Sequence, residues 1–343
     1  MTHRERVRAT LAFQPTDRLP YDLMEGTVWE ELFAYFRTAR GLTDPEQLPD
    51  FLDTDFRWLF RPPGDTPGKD ARRERSSLTF EVAHGPLAGA TTVAEVERHR
   101  WPDPTRWLPP DAKGARQRWP DHCLVLLPGW SPLFWGVCDA FGVEQALVNL
   151  HQAPALFECA ARCIHERYME RLGRLLPAAR GYCDLCWLAD DFAGQQGMLI
   201  SPEHWRRHIK PLLAEQVAFV HRHGLSVIYH SCGAVRPVIG DLIDIGVSCH
   251  LVFQTKARGM DPESIAREFG GRMAFYGGMD VQHLLSFGTA EEVRQEVLRN
   301  AAAFERCGGY IVANSHTSFA TINGKNVEVM CETARGLRGK GAI

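Results

Sequence analysis

Hydrophobic positions along this chain fall into short apolar runs that alternate with stretches of helical periodicity. Residues 225–229, LSVIY, form one such run, rich in β-branched and aromatic side chains; a helical pattern resumes at Val235 and stops at Gly246. Comparable runs lie at 19–24, 53–60, 123–127, 184–188, 247–253, 272–276 and 310–313. Helices are expected over 2–13, 29–40 and 142–176, from Ser201 to His223 with a bend at Pro211, from Thr289 to Arg306, and from Asn326 onward. Several starts are spelled locally. Ser201-Pro202 gives a cap with Pro at the first helical position, Thr289 and Glu292 a capping box, and Asp261-Pro262 a further start.

Eight apolar runs, most of them followed by a helix, predict a parallel (β/α)8 TIM barrel within one domain spanning residues 1–343. The alternation breaks over 61–120, where Pro62, Pro63, Pro67, Pro86, Pro102, Pro104, Pro109 and Pro110 leave little room for core helices around a strand-like 77–83. This stretch is expected to be an insertion or lid-like segment.

The polar residues are placed informatively. Glu25, Asp190, Asp191, His230, Cys232, Gln254, Asp280, Gln282 and His316 all lie just beyond the carboxyl end of an expected strand. In a barrel those positions converge on one mouth, where ligands bind. His230 and Cys232 could share a metal ion, although a free Cys at a strand end is also an ordinary small hydrophobe. Trp29, Trp58, Trp130 and Trp135 could line an apolar wall or simply fill the core, Trp130 being the one assigned to substrate. Cys183 and Cys186 have metal-like spacing, but three residues apart in a strand they face opposite sides.

Composition narrows the partners. A net charge of −3 and the absence of a basic run offer nothing to nucleic acid or an anionic membrane. No apolar run reaches the roughly 20 residues of a membrane span, and the opening helix is charged, which argues against a secretory signal. Ten cysteines without regular spacing then point to a cytoplasmic location with reduced thiols.

Five blocks carry a resemblance: RERVRATLAFQPTDRLPYD, DDFAGQQGMLISPEHWRRHIKP, HSCGAVRPVIGDLIDIGVSCHLVFQTKARGMDP, FYGGMDVQHLLSFGTAEEV and GGYIVANSHTSFATINGKN. In this order they resemble the uroporphyrinogen decarboxylase superfamily, which implies a TIM barrel. Its decarboxylases carry an arginine-rich block after the first strand for the substrate carboxylates. Here LPYDLMEGTVWEELF has no Arg or Lys and contains Asp22, Glu25, Glu30 and Glu31, the wrong sign for a polyanion. The other branch, cobalamin-dependent methyltransferases similar to those acting on coenzyme M, binds zinc through a His-x-Cys pair and a distant Cys. His230 and Cys232 match the pair, while His316 stands where the second Cys is expected, and Asp190 or Asp191 could add an oxygen ligand.

The resemblance thus implies methyl transfer between a corrinoid, brought by a separate corrinoid-binding protein, and a thiol or folate acceptor, with zinc at His230, Cys232 and His316. His316, Asp190, Asp191 and Asp280 are the expected catalytic groups, and Glu25, Gln254, Gln282 and Trp130 the expected substrate contacts. The alternatives are decarboxylation of a small carboxylated substrate or a porphyrinogen, and a non-catalytic barrel binding a metal or tetrapyrrole.

Overall fold

The computed structural model describes residues 1–26, 28–60, 85–130, 132–317 and 321–337. Its strands are β1 (Phe56–Phe60), β2 (Cys123–Leu127), β3 (Leu185–Ala189), β4 (Ala193–Gly194), β5 (Gly197–Met198), β6 (Ser226–His230), β7 (Cys249–Phe253), β8 (Ala274–Met279) and β9 (Tyr310–Asn314). All but β4 and β5 form one seven-stranded sheet in chain order, parallel at every pairing. β4 and β5 make a small antiparallel hairpin beyond the end of β3.

The sheet curls. Phe56 of β1 meets Tyr276 of β8 with ring centroids 5.6 Å apart, although four strands lie between theirs in the sheet order. Alternate residues fill its inner face, among them Val125, Leu185, Trp187, Ile228, Leu251, Tyr276 and Ile311, as a two-residue side-chain period requires. The intervening residues, such as Leu124, Cys186, Val227 and Phe275, pack outward against the helices.

The expected first strand over 19–24 contracts to a single bridge between Tyr21 and Val312. Val312 N–H donates to Pro20 O, Asp22 N–H to Val312 O and, on the other side, Asp55 N–H to Tyr21 O. Pro20 has no N–H to give, and Tyr21 N–H donates to the Asp55 carboxylate at 2.9 Å instead of to a strand carbonyl, so no longer ladder can form.

The helix His3–Leu11 covers the amino-terminal ends of the strands. Its Val7 joins the inner cluster, Arg6 binds Asp55, and Arg4 and Arg8 bind Asp184. That end is closed by structural ion pairs, which leaves the carboxyl ends for chemistry.

Three helix expectations change. The expected helix over 142–176 is two, Val143–Gln152 and Pro154–Ala179, with a further helix, Phe134–Phe141, just before it, and the one from Ser201 is two, Pro202–His208 and Lys210–Arg222. The break at Ile209 sets Pro211 in the first turn of the second helix, where its missing N–H costs nothing. The closing helix begins at Gly324, capped by Asn323. Of the segment 61–120, residues 61–84, including the strand-like 77–83, lie outside the described residues; the remainder holds short helices at Val93–Arg98 and Ala112–Arg118. No helix among the described residues is long and apolar enough to cross a membrane.

Candidate metal centre

β6 ends on His230, whose side chain continues the inward row of Ser226 and Ile228. Its Nδ1 lies 2.6 Å from Glu25 Oε1. Glu25 sits in a left-handed backbone conformation, φ 55° and ψ 21°, an uncommon state for a non-glycine residue that turns the carboxylate toward the mouth. The same oxygen accepts a 2.9 Å bond from Trp187 Nε1. With a carboxylate as its acceptor Nδ1 carries the proton, so a neutral His230 offers its lone pair from Nε2.

Around Nε2 stand two further donors. Cys232 Sγ is 3.7 Å away and Asp191 Oδ1 also 3.7 Å. The donor atoms of Asp191, His230 and Cys232 all lie within 4.8 Å of one another. Zinc bonds of about 2.0–2.3 Å in tetrahedral geometry separate ligand atoms by roughly 3.3–3.6 Å, so this oxygen, nitrogen and sulfur set fits a zinc ion with one position left open. Glu25 then plays the outer carboxylate that orients a ligating imidazole.

Burial and the two carboxylates together set the electrostatics of these groups. Burial pushes the Cys232 thiol well above its usual pKa, and the Asp191 and Glu25 carboxylates push it further. Burial opposes the His230 imidazolium, but Glu25 and Asp191 outweigh it and raise its pKa. A divalent cation here would reverse the first effect and favour thiolate.

His316 lies outside the donor cluster. Its Nδ1 is 3.0 Å from Thr317 Oγ1, and burial, reinforced by the neighbouring His230, lowers its pKa against the pull of Asp191 and Glu25. It therefore belongs to the same neighbourhood while taking a different place from the one expected for a ligand. Trp130 forms one wall, its ring 5.9 Å from that of His230 and 6.2 Å from that of Trp187.

Other expectations are corrected. Asp190 accepts from Phe134 N–H at 2.7 Å and Trp135 N–H at 3.0 Å, so its carboxylate caps the helix Phe134–Phe141. Burial lifts its pKa to about 7 against those bonds. Asp280 accepts from the backbone N–H groups of Gln282, His283 and Leu284, fixing the turn after β8, and Gln282 itself is exposed. Both acids are held in place by backbone N–H groups, as is Asp191, whose Oδ1 accepts from Cys232 N–H at 2.8 Å. Gln254 stands against the centre: its Oε1 accepts from Gly233 N–H at 3.0 Å and Gln195 Nε2 at 2.6 Å, its Nε2 donates to Ser315 O at 3.3 Å, and its side chain also bears on the Cys232 thiol. Cys183 and Cys186 are buried free thiols in the outer layer.

Trp187, Asn314 and a buried Asp22 carry parts of the site that sequence reasoning passed over. Trp187 reads as core because it sits mid-strand, and only its distant partner Glu25 reveals more. Asp22 accepts from Trp58 Nε1 at 2.8 Å and Tyr276 OH at 2.9 Å, and burial lifts its pKa to about 7 against those two bonds.

The family model described as Uroporphyrinogen decarboxylase (URO-D) matches residues 145–337, more than half of the chain. Among solved structures, a methyltransferase from Methanosarcina mazei superposes with a TM-score of 0.64 at 17% identity, covering 97% of this chain and 98% of its own; likeness at that identity speaks for the fold. A D-psicose 3-epimerase structure covers 73% of this chain and 83% of its own at 11% identity, with a TM-score of 0.33 that carries no argument. No curated protein sequence matches significantly. The chain belongs to the uroporphyrinogen decarboxylase family.

Proposed function

We propose that this chain is a methyltransferase whose acceptor, a small thiol or a folate, reacts at a zinc ion held by Asp191, His230 and Cys232, with the methyl group exchanged with a corrinoid brought by a separate protein. The observation that carries the reading is the convergence of one carboxylate oxygen, one imidazole nitrogen and one thiol within 4.8 Å, backed by an orienting Glu25. When bound, zinc supplies a positive centre that lowers the pKa of a thiol in the open position. The chain's own groups do the rest. Glu25 fixes the His230 tautomer, Trp130 and Trp187 shield one side from water, and to His316, which shares the neighbourhood of His230, Asp191 and Glu25, we assign the proton taken from the acceptor. We read the bridge at Tyr21 as the eighth stave of a closed TIM barrel forming one domain, in keeping with its bonds to both edge strands.

Decarboxylation of a smaller carboxylated substrate is the second reading, favoured by the family and by Asp22, a buried acid with a pKa near neutrality. Elemental analysis of protein purified without added metal separates the two. One zinc per chain, lost in Cys232→Ser, together with demethylation of methylcobalamin by a thiol or tetrahydrofolate, supports methyl transfer. Metal-free protein that releases carbon dioxide from a carboxylated substrate overturns it.

A further inference from the structure

Four loops surround the centre: the turn bearing Glu25, the β3 exit bearing Asp191, the β6 exit bearing Cys232, and the segment after β9 bearing His316. One buried side chain joins two of them. Asn314, the last residue of β9 and 1% exposed, accepts at Oδ1 from Met24 N–H at 2.9 Å and donates from Nδ2 to His316 O at 2.5 Å. An amide offers an acceptor and a donor on adjacent branches without depending on protonation, and only one of its two orientations satisfies both partners here. Gln254 continues the belt from Ser315 O to Gly233 N–H, next to Cys232.

The anchoring matters most at Glu25. A residue held at φ 55° stays there only if its surroundings over-determine it. Gly26 N–H donates to Leu23 O and Tyr276 OH to the same carbonyl, but these bonds end on Leu23. Met24 N–H, immediately before Glu25, is held by Asn314.

We propose that Asn314 is a positioning residue for the metal centre: through Met24 it sets the Glu25 carboxylate against His230, and through the His316 carbonyl it sets the imidazole on the far side of the site. The proposal deepens the zinc reading and rests on it for its consequence, while the clamp itself is independent of any metal. Losing an outer-shell carboxylate such as Glu25 lowers metal affinity by about 10–100-fold, which bounds the cost of misplacing it through Asn314.

Two variants divide the amide's roles. Asn314→Ala removes both bonds. Asn314→Asp, compared with wild type at about pH 9 so that the carboxyl is ionised, keeps an oxygen for Met24 N–H and loses the donor to His316 O. Zinc affinity by chelator competition and backbone hydrogen exchange by mass spectrometry are measured on the full chain. In Asn314→Ala, zinc binding is expected to weaken by up to about 100-fold, and exchange to quicken over 23–26 and 315–317. In Asn314→Asp, zinc affinity and the 23–26 amides stay as in the wild type while 315–317 quickens. A loss of melting temperature in Asn314→Ala with zinc affinity and 23–26 exchange unchanged overturns the proposal and leaves a merely structural residue. Should Asn314→Ala fail to fold, Asn314→Asp decides: unchanged exchange over 315–317 overturns the clamp. Wild-type protein that binds no zinc sinks the metal reading, and exchange over the two segments alone then decides for or against Asn314.

Discussion

Glu25 and His230 are 205 positions apart in the chain and share a 2.6 Å contact between Oε1 and Nδ1 at the mouth of the curled sheet. That contact decides which imidazole nitrogen faces Asp191 and Cys232, and so whether the three donors can act together.

Removing the orienting carboxylate tests this directly. Glu25→Gln is expected to weaken zinc binding by about 10–100-fold without abolishing it, because all three donor atoms remain. Competition against a chelator of known affinity reads the change; wild-type affinity in Glu25→Gln means the contact is incidental.

The ligand set separates Asp191 from His316. Asp191→Ala and Cys232→Ser are expected to lose stoichiometric zinc, while His316→Ala retains it, since His316 stands outside the donor cluster. Elemental analysis of the three purified variants checks it. Zinc lost in His316→Ala and kept in Asp191→Ala would restore the ligand set expected from the sequence.

Gly233 is a backbone requirement of the site. It has φ +82°, and a Cβ there would come within 2.5 Å of Gly194 O in the hairpin β4–β5. Gly233→Ala is expected to cost at least about 1–3 kcal/mol, because a strained conformation and a backbone clash coincide. Denaturant unfolding gives the magnitude, and chelator competition shows whether the neighbouring Cys232 has shifted.

Acid stability should depend on Asp55. Burial alone would raise its pKa, yet His3, Arg18, Arg6 and Tyr21 N–H together hold it below the usual carboxylate value. A depressed folded pKa means the contribution is present above the unfolded pKa and is lost as pH falls through the folded one. Asp55→Ala removes the carboxylate that Arg6 and Arg18 share, leaving them Asp17 and Asp53, and is expected to cost about 1–3 kcal/mol at neutral pH, with the difference from wild type shrinking in acid. Unfolding free energies measured from pH 7 downward check both parts.

Asp22 has the opposite sign. Its folded pKa, about 7, exceeds the ordinary value of 3.8. Between those values the folded form keeps a proton that the unfolded chain has released, so stability falls as pH rises through the window and levels off above it. Asn in its place can still accept from Trp58 and Tyr276. Asp22→Asn should therefore gain on wild type from pH 4 to 7 and hold that gain above; a pH-independent difference removes the argument.

The sequence by itself determined the strand positions and the general place of the site. Seven expected runs, from the one around residue 56 to the one around residue 312, become strands because each carries its own apolar pattern and most have turn or cap residues nearby. His230, Cys232, Glu25 and Asp191 were legible because strand exits converge in a curled parallel sheet. Tertiary structure alone decided their roles. Asp190 and Asp191 are neighbours in sequence, yet one caps a helix that starts 56 positions earlier and the other faces His230 at 3.7 Å. The bridge from Tyr21 to Val312, the place of His316 beside Thr317 rather than in the donor cluster, and the bond from Asn314 to Met24, 290 positions away, depend on partners that only the fold brings together. Local pattern encodes burial and backbone preference; the choice among competing hydrogen-bond partners exists only once the chain has folded.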